Sequence, residues 1–192
     1  MEIIFATSNI NKLNEVCEII GKKYSIVSPT KYGITQDIPE TGDTLESNAL
    51  IKAQYIWDRT GINCFADDTG LEVEDLNGAP GVRSARYAGE DNNSNNNIDK
   101  LLKELSDINN KRARFRTSIS LIYKNSIHFF EGTLNGAIIN TRRGHNGFGY
   151  DPVFVPDGYS KTLAELSTYE KNLISHRAIA IKKLATFLNN IQ

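Results

Sequence analysis

The sequence predicts an α/β fold with a long central mixed β-sheet flanked by helices, and three observations lead there. Short apolar, β-branched runs alternate with helical periodicities through the first half of the chain. In the second half the apolar period drops to two over a long stretch and resumes after a tight turn. A 3.6-residue apolar stripe follows towards the C-terminus. Interleaved helices and strands followed by a hairpin require a mixed sheet rather than a purely parallel one.

Each element has a local reason. Glu2-Ile3-Ile4-Phe5-Ala6 is an apolar, β-branched first strand. The polar turn Thr7-Ser8-Asn9-Ile10-Asn11-Lys12 leads into Leu13, Val16, Ile19 and Ile20 at helical spacing, stopped by Gly21. A second strand is expected at Tyr24–Ser28, ended by Pro29, and a loop over 30–42. Asp43 or Thr44 caps a helix with Leu45, Ala49, Ala53, Ile56 and Trp57 on its apolar face and Gly61 at its end. Ile62–Ala66 reads as a strand, Asp67-Asp68-Thr69-Gly70 as a turn, and Leu71–Asp75 as another strand. Asn77-Gly78-Ala79-Pro80-Gly81 is a loop, Asp91–Asn97 an exposed polar loop, and Ile98–Leu105 a short helix. Ala113, Phe115, Thr117, Ile119 and Leu121 alternate with Arg114, Arg116, Ser118 and Ser120, a strand with one buried face. Lys124-Asn125 turns it into a second strand, Ile127–Ile139. Thr141–Gly149 is a basic loop with glycines, and Ile174, Ala178, Ile181, Ala185 and Leu188 stripe the last helix.

Composition narrows the function. The chain has 192 residues, 40% hydrophobic and 23% charged, with a net charge of −1. A chain of this size buries about 70% of its unfolded surface and needs no metal or disulfide to hold a core. One domain, or two tightly joined lobes, is expected over 1–192. There is no global field to hold a polyanion, which speaks against nucleic acid as a partner. No apolar run reaches membrane-spanning length, and the N-terminus lacks a secretory pattern. Cys17 and Cys64 fit no metal spacing and read as core residues, so the expected location is a reduced cytoplasm.

Five clusters carry possible chemistry. The strand–turn–helix at Thr7–Lys12 presents helix N–H groups, neutral donors and a lysine to a phosphate, or is an ordinary capped helix start. It is not a P-loop, because GxxxxGK(S/T) is absent. Asp67-Asp68-Thr69-Gly70 can hold a divalent cation and take a proton from water, or is an Asx-type turn. Glu40, in Pro39-Glu40-Thr41-Gly42, is a second acid or an ordinary loop glutamate. Gly147-Phe148-Gly149-Tyr150-Asp151-Pro152 can bring an aromatic ring against a flat ligand, or buries it beside a tight turn. Lys171-Asn172 and Ser175-His176-Arg177 place cations at the opening of the last helix, against its dipole, for an anion or for solvent. The basic run Lys111–Arg116 reads as the solvent face of an edge strand, with Arg114 and Arg116 blunting pairing.

Taken in order, these stretches resemble the inosine triphosphate pyrophosphatase family over nearly the whole chain. The resemblance rests on Ala6–Lys12, on Ala66-Asp67-Asp68-Thr69-Gly70-Leu71, and on Gly78–Val82 leading to Ser84–Gly89. It continues through Gly147–Phe154 and Glu170-Lys171-Asn172 to Ser175-His176-Arg177-Ala178. It implies two lobes with an active-site cleft between them, a homodimer, dependence on Mg²⁺, and hydrolysis of non-standard purine nucleoside triphosphates (ITP, dITP, XTP) to the monophosphate and pyrophosphate. Position by position, Thr7, Ser8, Asn9, Ile10, Asn11 and Lys12 match the family's phosphate loop, and Lys52 a further phosphate lysine. Asp68 matches the catalytic base and metal ligand, and Glu40 a second metal-site acid. Thr69, Phe148, Gly149, Tyr150, Asp151, Lys171, His176 and Arg177 match the nucleotide pocket. The chain departs from the family pattern T-F-x-E-N-A, reading Thr44-Leu45-Glu46-Ser47-Asn48-Ala49. The acid expected at Ser47 is absent, and Glu46 is rotated about 100° from it on a helix.

The mechanism that this resemblance implies also has a physical rationale. A triphosphate repels hydroxide, and Lys12, Lys52, a helix N-terminus and Mg²⁺ offset that charge. Asp68 then deprotonates water aimed at the α phosphorus. Selectivity rests on the group at purine C6: His176 and Arg177 offer donors, which suit an oxygen and leave an amino group unpaired. Two rivals stand beside this reading. One is a pyrophosphatase for pyrimidine or other modified nucleotides; the other is a nucleotide- or nucleic-acid-binding module without turnover, supported by the basic run alone.

Overall fold

The structure, a computed structural model, describes residues 1–20 and 23–191, with Asn11 described by its backbone only. Gly21, expected to stop the first helix, lies outside the described residues. Among the described residues, six strands form one sheet in the order β2-β1-β3-β4-β5-β6. They are β1 (Glu2–Phe5), β2 (Ser25–Val27), β3 (Cys64–Val73), β4 (Arg112–Tyr123), β5 (Ser126–Ile138) and β6 (Phe154–Pro156). The helices are α1 (Ile10–Ile20), α2 (Leu45–Thr60), α3 (Ser94–Glu104), α4 (Thr168–Ile174) and α5 (His176–Asn190). Strand β1 pairs parallel with β2 and β3, whereas β5 pairs antiparallel with β6. The expected mixed sheet is therefore present.

The chain forms two compact units. The first comprises Met1–Asp68, Thr117–Gly132 and Arg177–Gln192, and the second Thr69–Arg116 and Thr133–His176. The first has two cores. Ile3, Phe5, Val16 and Phe65 pack with Ala180, Ile181, Leu184 and Leu188 of α5, and Phe5 stacks on Phe65 at 4.5 Å. Ile4, Ala6, Cys64 and Ala66 pack with Ala53 and Ile56 of α2. Alternation along β1 and β3 thus feeds odd positions to one core and even positions to the other. The core of the second unit joins Leu71, Val73, Ile98, Leu101, Phe115, Val153 and Phe154.

Five expectations are corrected. Asp67–Gly70 is not a turn: β3 runs unbroken from Cys64 to Val73, because polar residues paired inside the fold are as compatible with a strand as apolar ones. The Asn-rich stretch is not all loop. Asn93 caps α3, its side chain accepting from Asn95 and Asn96 N–H, and buried Asn97 bonds the backbone of Ala85 and Ala88. The C-terminal stripe belongs to two helices, since Ser175, extended at ψ 145°, ends α4 one residue before α5; Lys171 and Ile174 therefore lie on α4. Strand β4 sits between β3 and β5, so Arg114 and Arg116 do not guard an edge; both bond Glu72 of β3. Its second half is buried on both faces. Finally, Cys64 is buried but Cys17 is exposed.

Candidate active site

In the first unit the ends of β1 and β3 carry polar side chains. After β1, Thr7 Oγ1 accepts from Asn9 N–H, and Asn9 Oδ1 accepts from Lys12 N–H at 3.3 Å, a capped helix start. Ser8, Asn9 and Ile10 are exposed there. The side chain of Asn11 lies outside the described residues. Lys12 reaches back from α1, and its Nζ donates to both Asp67 oxygens at 2.9 Å.

Asp67 shares the face of Phe65 and so looks towards α1 and α5. Arg177, in the first turn of α5, donates from Nε to Asp67 at 3.3 Å and from a terminal nitrogen to Glu15 at 3.2 Å. The Arg177 and Asp67 side chains are each only 3% exposed. Burial alone would raise the Asp67 pKa, but Lys12, Arg177 and Lys52 hold it well below the usual carboxylate range. Burial lowers the Lys12 pKa against the pull of Asp67. Arg177 is pushed up by Asp67 and Glu15 against its own burial.

Asp68 points the other way, to the face of Cys64 and Ala66, and meets α2. Helix α2 starts at a capping box formed by Thr44 and Ser47. One turn in, Asn48 donates from Nδ2 to Asp68 Oδ2 at 3.1 Å. Lys52 pairs with Glu40. Burial opposes the Lys52 charge, yet Asp68, Asp67 and Glu40 together keep its pKa raised. Asp68 itself is pushed up to about 6, by burial first and then by Glu40 and Asp67, against Lys52 and the Asn48 hydrogen bond. A buried carboxyl with a pKa near neutrality accepts a proton from water far more readily than an exposed one.

The second unit gathers a different set. The Asp151 carboxylate accepts from Phe148 N–H at 2.8 Å and from Lys171 Nζ at 2.5 Å. A Cβ on Gly147, at φ +78°, would come within 2.1 Å of that carboxylate, so glycine is needed here to let the loop close on Asp151. Gly149 is also left-handed, at φ +59°. The Phe148 ring is 52% exposed, and Lys171 Nζ lies 4.7 Å from its centroid. Tyr150 is buried and donates to Ser84 C=O at 2.8 Å. His176 is buried and stacks on Phe115 at 4.8 Å. Thr69, on β3, is partly buried.

The sequence-derived residues therefore fall into a phosphate-like group in the first unit (Thr7–Lys12, Glu40, Lys52, Asp68, Arg177) and an aromatic group in the second. Three polar residues were not singled out from the sequence: Glu15, Asn48 and Asp67 as an ion-pair centre. A signal for Asn48 exists, since it sits with Leu45, Ala49, Lys52, Ala53 and Ile56 on one stripe of α2, a polar residue on a buried face. Among the described residues, no group of three or more His, Cys, Asp or Glu is placed to hold a metal ion, and no helix is long and apolar enough to cross a membrane.

A model of the Ham1 family matches residues 3–187. A dITP/XTP pyrophosphatase of Porphyromonas gingivalis is 53% identical over 97% of this chain and 97% of its own length. One from Flavobacterium psychrophilum is 49% identical over 99% and 100%. The solved Ham1 protein of Staphylococcus aureus superposes with a TM-score of 0.94 at 39% identity, covering 100% of both chains. The resemblance read from the motifs is borne out by these matches.

Proposed function

The chain belongs to the Ham1 family, and on that premise we propose that it hydrolyses non-standard purine nucleoside triphosphates such as dITP and XTP to the monophosphate and pyrophosphate. The activity comes from the named relatives. The observation that carries it to this chain is Asp68, buried on β3 and held by Asn48, with its pKa pushed up by burial.

In this reading Asp68 orients and deprotonates the water that attacks the α phosphorus. The start of α1 at Thr7–Lys12 and the Lys52 ammonium draw in the phosphate chain. Arg177, expected to offer a donor to purine C6, instead gives its guanidinium to Asp67 and Glu15, and in this reading it is the buried counter-charge that helps keep Asp67 ionised. Phe148, Lys171, Asp151, Gly149, Tyr150, Thr69 and His176 serve the base in the second unit. Phe148 supplies an exposed ring for stacking, worth about 1–3 kcal/mol by analogy with base stacking. Tyr150 and Asp151 shape the loop that presents it.

The metal of this reading is Mg²⁺, and the residues fit it. Glu40 and Asp68 are two oxygen donors held by Lys52 and Asn48, partners one turn apart on the same stripe of α2. Mg²⁺ typically takes one or two carboxylates, with water and substrate phosphate filling the rest of its shell. When bound it would neutralise phosphate charge. The reading also includes a homodimer in the cytoplasm, which the family resemblance implies.

The test is product analysis with dITP, XTP and ITP in the presence of Mg²⁺. Pyrophosphate in equal amount to monophosphate is the expected result. Release of single phosphate, or no turnover of any of the three, removes the proposal.

A further inference from the structure

Asn48 sits where two structural demands meet. Its side chain is on the buried face of α2, and the residue is only 1% exposed. Its Oδ1 accepts from Gly42 N–H at 2.8 Å, and its Nδ2 donates to Asp68 Oδ2 at 3.1 Å. Gly42 N–H can only donate, so the amide has one workable orientation, with the NH₂ end on the carboxylate. Gly42 is also two residues from Glu40. A Cβ at Gly42 would come within 2.9 Å of Asn48 Oδ1 and 2.1 Å of Ser47 Oγ, so the close approach depends on glycine.

We propose that Asn48 is a positioning residue, a clamp that fixes the Asp68 carboxylate and at the same time ties the Glu40 segment to the start of α2. This inference rests on the reading of Asp68 as the base. The sheet holds the backbone of Asp68, and the hydrogen bond to Asn48 restrains its carboxylate. Misplacing a reacting group by about 1 Å can cost on the order of 100-fold in turnover, so a side chain that sets one carboxylate oxygen affects rate more than substrate affinity.

Asn48→Asp separates the two ends of the clamp. It keeps an acceptor for Gly42 N–H and removes the donor facing Asp68. The expected result is a fall in kcat of roughly 10–100-fold with KM within about twofold of the parent, and a Tm lower by about 5 °C. The exchanged pair, Asn48→Asp with Asp68→Asn, restores a donor–acceptor contact at the same formal charge. Its Tm is expected to return to within about 2 °C of the parent, while its turnover stays lost. If Asn48→Asp keeps parental kcat, or if the exchanged pair is no more stable than Asn48→Asp, the clamp does not act on Asp68 and the proposal falls. Asp68→Asn alone is measured alongside. Retained turnover in that variant removes the base reading, whereas a Tm of the exchanged pair above the sum of the two single substitutions reports on the contact independently.

Discussion

On one side of β3, Asp67 lies against Lys12 and Arg177, and its proton is driven off by a surplus of positive charge. On the other side, one residue later, Asp68 lies against Asn48 and within the field of Glu40, and its proton is retained to about pH 6. The two side chains are chemically identical and both buried. Strand alternation sends them to different helices, and those helices carry different charges. The first environment builds a structural ion pair; the second leaves a carboxyl at a pKa useful for proton transfer. The proton affinity of each carboxyl is thus set by the face of the strand rather than by the residue type.

Substitution of each carboxylate breaks the comparison in a different observable. Asp68→Asn is expected to lower pyrophosphate release by about 10²–10⁴-fold, the usual range for a general base. Turnover within tenfold of the parent means that the raised carboxyl is not the proton acceptor.

Asp67→Asn is expected to act on stability. It leaves Lys12 and Arg177 without their carboxylate in a buried setting, at a cost of about 3–5 kcal/mol by denaturant unfolding. Because the folded pKa of Asp67 lies below the unfolded value, its contribution is complete above the ordinary carboxylate range and is lost as the pH falls through and below it. The gap between parent and variant should therefore narrow in acid. A gap that stays constant from neutrality to acid excludes Asp67 as an ionised partner.

The smallest effect has the opposite sign. A carboxyl whose folded pKa is raised makes the fold less stable as pH climbs from about 4 to about 6, and the loss persists above that. Without bound metal, Asp68→Asn should be more stable than the parent above pH 6, by about 1–3 kcal/mol in denaturant unfolding, with no gain near pH 4. A variant that is less stable than the parent at both pH values contradicts the assigned burial cost.

Much of this was legible in the sequence, and the reasons differ by element. The alternation in β4 and the Lys124-Asn125 turn gave the hairpin, because side-chain period and left-handed φ preference are local properties. The misreading of Asp67–Gly70 has a nonlocal cause. Two aspartates before a glycine carry turn chemistry on their own, and the partners that make them strand residues lie up to 110 positions away. The Asn-rich segment was misread likewise, since asparagine favours loops unless a cap and a buried amide use it, as Asn93 and Asn97 do. Motif order singles out Lys12, Lys52 and Asp68 as candidates. Asn48 carries its signal in helical position alone.

The first unit is not a continuous stretch of chain: Ile3 and Phe5 of β1 share their core with Ala180, Ile181, Leu184 and Leu188 of α5. During synthesis the opening strand leaves the ribosome long before the helix that shields it exists. Until then its apolar residues have to be kept from other nascent chains, and a chain that stops before α5 leaves β1 uncovered.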